Sequence, residues 1–124
     1  MLSPDIMQLA RQSALHAAAR QGVISTNIAN ADTPGYRAKV LPDFGSVMQG
    51  FERLRTTRAG HLESQGMLVT QARPERAPVT QKPNGNTVSL EHQMMHAARA
   101  RLDHDTALAV YASARNILRA SLGR

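Results

Sequence analysis

The chain has no cysteine and no tryptophan. Without cysteine there are no disulfides and no thiol chemistry, and the absence is compatible with either cytoplasm or periplasm. Aromatic side chains are confined to Tyr36, Phe44, Phe51 and Tyr111 in 124 residues. The 42% hydrophobic content therefore overstates the core, because nineteen of those residues are alanine. Alanine buries little area, whereas a large apolar side chain contributes roughly 1.5–3 kcal/mol when buried. A lone monomer is expected to be marginal, and association with other polypeptides is the usual remedy. Long apolar runs are also missing: the longest, residues 107–112, is far too short to span a bilayer. The opening Met-Leu-Ser-Pro-Asp has no basic segment and no apolar stretch after it, so a cleaved signal peptide is not expected.

Basic residues are present in excess, giving a net charge of +6, almost all of it from arginine. Such a balance suggests nucleic acid as a partner. The arginines are dispersed, however. Arg53, Arg55 and Arg58 form the one local cluster, Glu52 and Glu63 flank it, and no aromatic platform accompanies it. That pattern reads as a solvated face rather than a nucleic-acid site.

Two heptad stripes stand at the two ends of the sequence. The first is Met7, Ala10, Ala14, Ala17, Gln21, Ile24, Ile28; the second is Leu90, Met94, Ala97, Arg101, His104, Leu108, Tyr111, Arg115, Leu118, Leu122. Both advance in steps of three and four, the repeat of a helical seam. They predict a mostly α fold in which two long terminal helices pack as a coiled-coil-like hairpin or bundle. A second stripe on the last helix, Met94, Ala98, Leu102, Ala109, Ala112, offers a further face.

Local signals place the boundaries. Ser3-Pro4 followed by Asp5 starts a helix that runs to about Asn30, weakened at Gly22 by about 1 kcal/mol. Thr33-Pro34-Gly35-Tyr36 suits a type II turn, and Asn30 tolerates a left-handed cap. Ser89 caps the last helix, Glu91 and Arg115, Arg119 and Arg124 complement its dipole, and Gly123 follows its end. The expected organisation is one structural domain in three parts: residues 1–36, the first helix and its turn; 37–87, an irregular middle; and 88–124, the last helix. In the middle, Phe44, Val47, Met48, Phe51 and Leu54 predict a short amphipathic helix, and residues 67–71 and 77–81 short strands.

No catalytic set converges. His92 and His96 share a helix face, but no glutamate follows His92 directly and no third metal ligand is evident. His104 lies between Asp103 and Asp105, which diverge from it on a helix. Ser13, Ser25 and Ser89 lack the setting of a nucleophile elbow, and no glycine-rich phosphate loop is present. The expectation is a protein that is not an enzyme, with no metal, no cofactor and no small-molecule substrate.

Residues 24–38 then carry a specific motif. Asn27-Ile28-Ala29-Asn30-Ala31 meeting Thr33-Pro34-Gly35-Tyr36 closely resembles the N-terminal signature of bacterial flagellar rod, hook and related axial proteins, and Arg20-Gln21 fits upstream. Pro42-Asp43-Phe44 with Val47-Met48 is similar to the segment that follows in proximal rod subunits. Residues 55–62 resemble a Thr-His-Pro-Gly-His-Ile stretch, with Arg58 and Ala59 in place of histidine and proline. Gly85-Asn86-Thr87-Val88-Ser89-Leu90-Glu91 resembles the start of the family's last helix, with serine replacing aspartate as cap. An Asn-Arg-x-Tyr-x-Ala-Asn pattern found in other small rod subunits is not matched by residues 99–105.

The resemblance implies a structural subunit of the proximal rod, self-assembling through its terminal helices into the tubular shaft of the basal body. It implies as partners other copies of itself, other rod subunits, the protein at the junction of inner-membrane ring and rod, and the export gate; neither nucleic acid nor a small molecule is among them. It implies location in the periplasmic rod after export without signal cleavage. Asn27, Ile28, Asn30, Thr33, Pro34, Gly35 and Tyr36 are the expected assembly motif, and Ile24, Leu90, Met94, Leu108, Tyr111, Leu118 and Leu122 the expected helix-packing residues. The alternatives are another rod subunit or, in a different class, a small basic nucleic-acid-binding protein.

Overall fold

The computed structural model describes residues 4–53 and 71–123. Helix α1 covers Pro4–Ala29, strand β1 Lys39–Val40, helix α2 Phe44–Arg53, strand β2 Arg73–Pro74 and helix α3 Leu90–Ser121. The two long helices pack against each other as an antiparallel pair. Asn27 near the end of α1 meets Gln93 near the start of α3, and Arg20 meets Asp103 further along. Residues 55–62, with their arginine-rich run, and residues 67–70 of the first expected strand lie outside the described residues.

The terminal signals act as their chemistry dictates. Ser89 sits in extended geometry (φ −101°, ψ 115°) and its hydroxyl accepts from the His92 N–H. Asp43 does the same for α2, accepting from the Ser46 N–H at 3.1 Å and the Ser46 hydroxyl at 2.6 Å. These bonds hold the Asp43 carboxyl below its usual pKa. Gly123 (φ 73°) lies in the left-handed region just past α3.

The seam of α3 is displaced by one residue from half of the expected stripe. Its buried residues are Gln93, Ala100, Ala107 and Ala114, one heptad apart. Leu90, Met94, Leu108 and Leu122 lie off this seam; Met94 is 67% exposed and Leu122 77%. Tyr111 and Leu118, in the other half of the stripe, are half-buried beside it. On α1, Ala10, Ala17 and Ile24 are buried as the repeat demands, but the next buried position is Asn27, while Ile28 is 40% exposed. The reason is size. Small residues on both helices let the backbones approach, so the heptad frame that buries alanine wins, and the leucines flank the contact. Arg101 and Arg115 thereby leave the seam for solvent.

The middle departs from expectation as well. Residues 77–81 form no strand; β1 pairs antiparallel with β2, Lys39 opposite Pro74 and Val40 opposite Arg73. Proline removes a donor, so it suits the rim of such a short ladder. Ala31, Ala38 and Val88 form a small apolar cluster with Tyr36 packed on it, at the closed end of the hairpin. Ala10, Ala17, Ala100, Ala107 and Ala114, with Ile24 and Leu41, supply most of the remaining buried apolar surface. The core is alanine-rich, as composition demanded.

Candidate functional site

The closed end of the hairpin is held by two buried asparagines. Asn27 has no exposed surface. Its Nδ2 donates to the Lys39 carbonyl at 2.7 Å and to Gln93 Oε1 at 3.0 Å. Its Oδ1 accepts from the Lys39 N–H at 3.0 Å and the Tyr36 hydroxyl at 3.1 Å. One amide thus uses both its donors and both its acceptor sites. It meets the backbone of Lys39 in both directions, as a neighbouring strand would, and ties that segment to both long helices. Burial raises the pKa of Tyr36, which keeps its hydroxyl a donor.

Asn86 does the equivalent work across the loop before α3. Its Nδ2 donates to the carbonyls of Asn30 at 2.9 Å and Thr33 at 2.8 Å, and its Oδ1 accepts from the Val88 N–H at 2.8 Å. A helix end leaves its last carbonyls without helical partners; just past α1, the Asn30 carbonyl accepts both from Asn86 and from the Thr33 N–H at 3.1 Å. Lys82 Nζ adds a bond to the Ala31 carbonyl at 3.0 Å. Thr87 donates its N–H to the Tyr36 carbonyl at 3.1 Å and accepts the Ala38 N–H on Oγ1 at 2.8 Å.

The turn between these anchors has the expected type II form. The Tyr36 N–H donates to the Thr33 carbonyl at 3.2 Å, with Pro34 and Gly35 at the central positions and Gly35 at φ 71°. Gly35 donates its N–H to the Asn84 carbonyl at 2.9 Å. Gly85, at φ 83°, lies against it; a Cβ on Gly85 would stand 3.5 Å from the Gly35 Cα. Asn30 does not enter the left-handed region: among the described residues only glycines have positive φ. Its side chain instead donates to the Thr26 carbonyl at 2.8 Å and accepts the Thr33 hydroxyl at 3.1 Å.

The sequence motif therefore divides. Asn27, Asn30, Thr33 and Tyr36 close the hairpin through hydrogen bonds, whereas Ile28 and Pro34 face outward. The partners of these residues, Gln93, Asn86 and Thr87, and Lys82, which holds the Ala31 carbonyl, are not among the expected site residues. A polar residue one step before the Met94 position of an apolar stripe was the available signal for Gln93. The Asn86-Thr87 pair lies within the stretch that resembles the start of the family's last helix, where nothing local marks it as a partner of residues 30–38.

Further along, an open groove of about 840 Å³ runs between α1 and α3. Ile6, Leu9, Leu102 and Val110 line part of it, and His16 lies in its wall beside Phe44, with ring centroids 5.6 Å apart. His16 is buried and its Nε2 has no hydrogen-bond partner. Burial foremost, then the Arg20 charge, lowers its pKa, so the ring is held neutral. Arg20 crosses to Asp103 at 3.2 Å.

His92 and His96 stack edge-on, 4.4 Å between centroids, and burial with mutual repulsion lowers the pKa of His96. Among the described residues no three His, Asp or Glu side chains are placed to hold a metal. His104 and Asp105 approach to 3.7 Å, closer than divergent helix positions suggest.

The closed end of this helical hairpin spends its buried asparagine amides on hydrogen bonds to backbone and neighbouring side chains, and large apolar residues stand exposed on its outer faces; this is the make-up of a structural protein. The flagella basal body rod protein family matches residues 9–37, which span most of α1 and the turn just described. A flagellar basal body rod protein FlgB of Cereibacter sphaeroides is 37% identical over 94 residues, covering 73% of both sequences. The FlgB of Escherichia coli K12 is 34% identical over 110 residues, 79% of both. That of Agrobacterium fabrum is 28% identical over 107 residues, 82% of this sequence and 80% of its own. The chain belongs to the FlgB family of flagellar basal body rod proteins, and is a structural rod subunit.

Proposed function

We propose that this subunit builds the proximal part of the rod by packing the outer faces of its two long helices against neighbouring subunits. The observation that carries this reading is the displaced seam. Leu90, Met94, Leu108 and Leu122 on and just beyond α3, and Ile6 and Ile28 on α1, are exposed although they are among the large apolar residues of these segments. An alanine seam closes the hairpin and leaves these side chains for other subunits, which is how a protein joins a wall instead of a dimer. The partners are further copies, other rod subunits, the protein at the junction of inner-membrane ring and rod, and the export gate. The rod it joins lies in the periplasm, and the role is one of assembly and not of catalysis.

The hairpin clamp at Asn27 and Asn86 sets the position of Ile28 and Pro34 relative to these faces. In this way the motif residues act on assembly: five from within the hydrogen-bonded clamp and turn, as positioning residues, and Ile28 and Pro34 at the surface. Imaging basal bodies from a strain lacking the protein tests the role. An inner ring without rod or hook is expected, and restoration by the wild type but not by a Leu108→Ala, Leu122→Ala double variant of normal stability is expected to follow. Normal rods in the deletion strain contradict it.

A further inference from the structure

We propose that Asn84-Gly85 is a self-modification site which the folded clamp holds closed, and that Asn84 turns into aspartate or isoaspartate once the protein unfolds. Of the asparagines at positions 27, 30, 84, 86 and 116, only Asn84 precedes glycine. With no Cβ at position 85, the Gly85 nitrogen approaches the Asn84 side chain with little hindrance, and glycine reaches the required backbone angles freely. After losing its proton to solvent base, that nitrogen attacks Asn84 Cγ. A bond from the Gly85 nitrogen to Cγ forms and closes a five-membered succinimide. The bond from Cγ to Nδ2 breaks, and ammonia leaves with a proton from water. Water then opens the ring. Cleavage of the new bond at Cγ gives aspartate; cleavage between the Gly85 nitrogen and the backbone carbonyl carbon of residue 84 gives isoaspartate. No redox change occurs.

The fold restrains both reacting groups. The Gly85 N–H donates to the Lys82 carbonyl at 2.9 Å. Asn84 Oδ1 accepts from the Asn86 N–H at 3.1 Å, and the Asn84 carbonyl accepts from Gly35 at 2.9 Å. Gly85 is further fixed at φ 83° against Gly35. Attack requires the side chain and the peptide to leave these bonds together, so it proceeds from opened states. The isoaspartate product reroutes the backbone through Cβ, turns the carbonyl that receives Gly35 into a carboxylate, and lengthens the loop between Lys82 and Asn86. Such a product does not rebuild the contact between the two turns.

The test uses the full-length protein, incubated at mildly alkaline pH with and without urea, followed by peptide mass mapping and enzymatic isoaspartate detection. In urea, Asn84 is expected to react well ahead of the other asparagines, and at least about tenfold slower in the folded protein. Asn86→Ala, which removes the bonds to Asn30 and Thr33, is expected to speed the reaction in native buffer towards its own rate in urea, whether it loosens the loop or unfolds the protein. Protein aged in urea and returned to buffer should recover less folded material, in proportion to its isoaspartate content. Equal rates in folded and unfolded wild type, no preference for Asn84 in urea, or full refolding of isoaspartate-bearing protein each overturn the proposal.

Discussion

Asn27 and Gln93 face each other across the long helices, Nδ2 to Oε1 at 3.0 Å, and both are buried. Asn27→Ala removes this bond and also strands the N–H and carbonyl of Lys39 and the hydroxyl of Tyr36. Unsatisfied buried polar groups cost roughly 1–3 kcal/mol each, with some recovered by water. A loss of about 3 kcal/mol in urea unfolding is expected. Asn27→Asp should do no better, since a carboxylate has no proton for Lys39 or Gln93. Ile28→Ala, next door but exposed, should cost less than about 1 kcal/mol. A stability of Asn27→Ala equal to that of Ile28→Ala would remove the clamp as an explanation of the motif.

The displaced seam makes a prediction that reverses the one periodicity alone supports. Ala100 has no exposed surface, whereas Leu108 is 48% exposed. Ala100→Leu must force the helices apart and should cost about 1–3 kcal/mol. Leu108→Ala should change the unfolding free energy by less than about 1 kcal/mol. The opposite ranking would restore the frame in which Leu108 lies on the seam and Ala100 beside it.

Ala100 and Leu108 also mark the boundary of what the sequence made legible. Helix ends could be read because Ser89, Pro34, Gly35 and Gly123 act on their immediate neighbours, through caps and dihedral angles. The exact seam could not. Heptad reading ranks positions by hydrophobicity, and an alanine beside a leucine loses that ranking although it wins in space when both helices carry small residues. The clamp was half legible: Asn27 to Tyr36 stood out as a motif, but Asn86 is 56 positions from Asn30 and nothing local pairs them. The β1–β2 pair leaves no signal in the sequence, because two-residue strands carry no alternation to detect.

Gly22 is a site where the protein is less stable than its backbone allows. It lies inside α1, and a Cβ there would meet nothing within 4 Å. Gly22→Ala is expected to stabilise the monomer by about 0.5–1 kcal/mol, measured by thermal or urea unfolding. A destabilised variant would mean that α1 needs the bend or the freedom that glycine gives at this point.

Replacing Pro34 and Gly35 with alanine acts on the turn itself. Gly35 holds φ 71°, which costs alanine about 1 kcal/mol, and Pro34 restrains the unfolded state. Loss of about 1–2 kcal/mol is expected, together with greater helicity in the far ultraviolet as α1 gains residues beyond Ala29. Cells carrying the double variant should make the protein but not swim. Normal swimming with an altered turn would show that assembly does not depend on where this segment is held.

His16 gives the fold a pH dependence whose sign follows from its setting. Its pKa is lowered from 6.5 by burial first and by Arg20 next; Asp43, Asp103 and a hydrogen bond involving the Pro42 backbone oppose this but do not prevail. In the unfolded state the imidazole takes up a proton at higher pH than in the folded one. Below about 6.5 the unfolded state therefore binds more protons, and stability falls as pH drops until the folded-state pKa is passed. His96 shifts in the same direction, through burial and the neighbouring His92. Urea midpoints measured from about pH 8 down to about pH 5 should decline through this window. His16→Leu places an apolar side chain against Phe44 and removes the unpartnered Nε2, so its profile should be flatter than that of the wild type. The slope that remains should fall further in a His16→Leu, His96→Gln double variant. An unchanged profile in His16→Leu would mean that the buried ring accepts its proton without opening the groove.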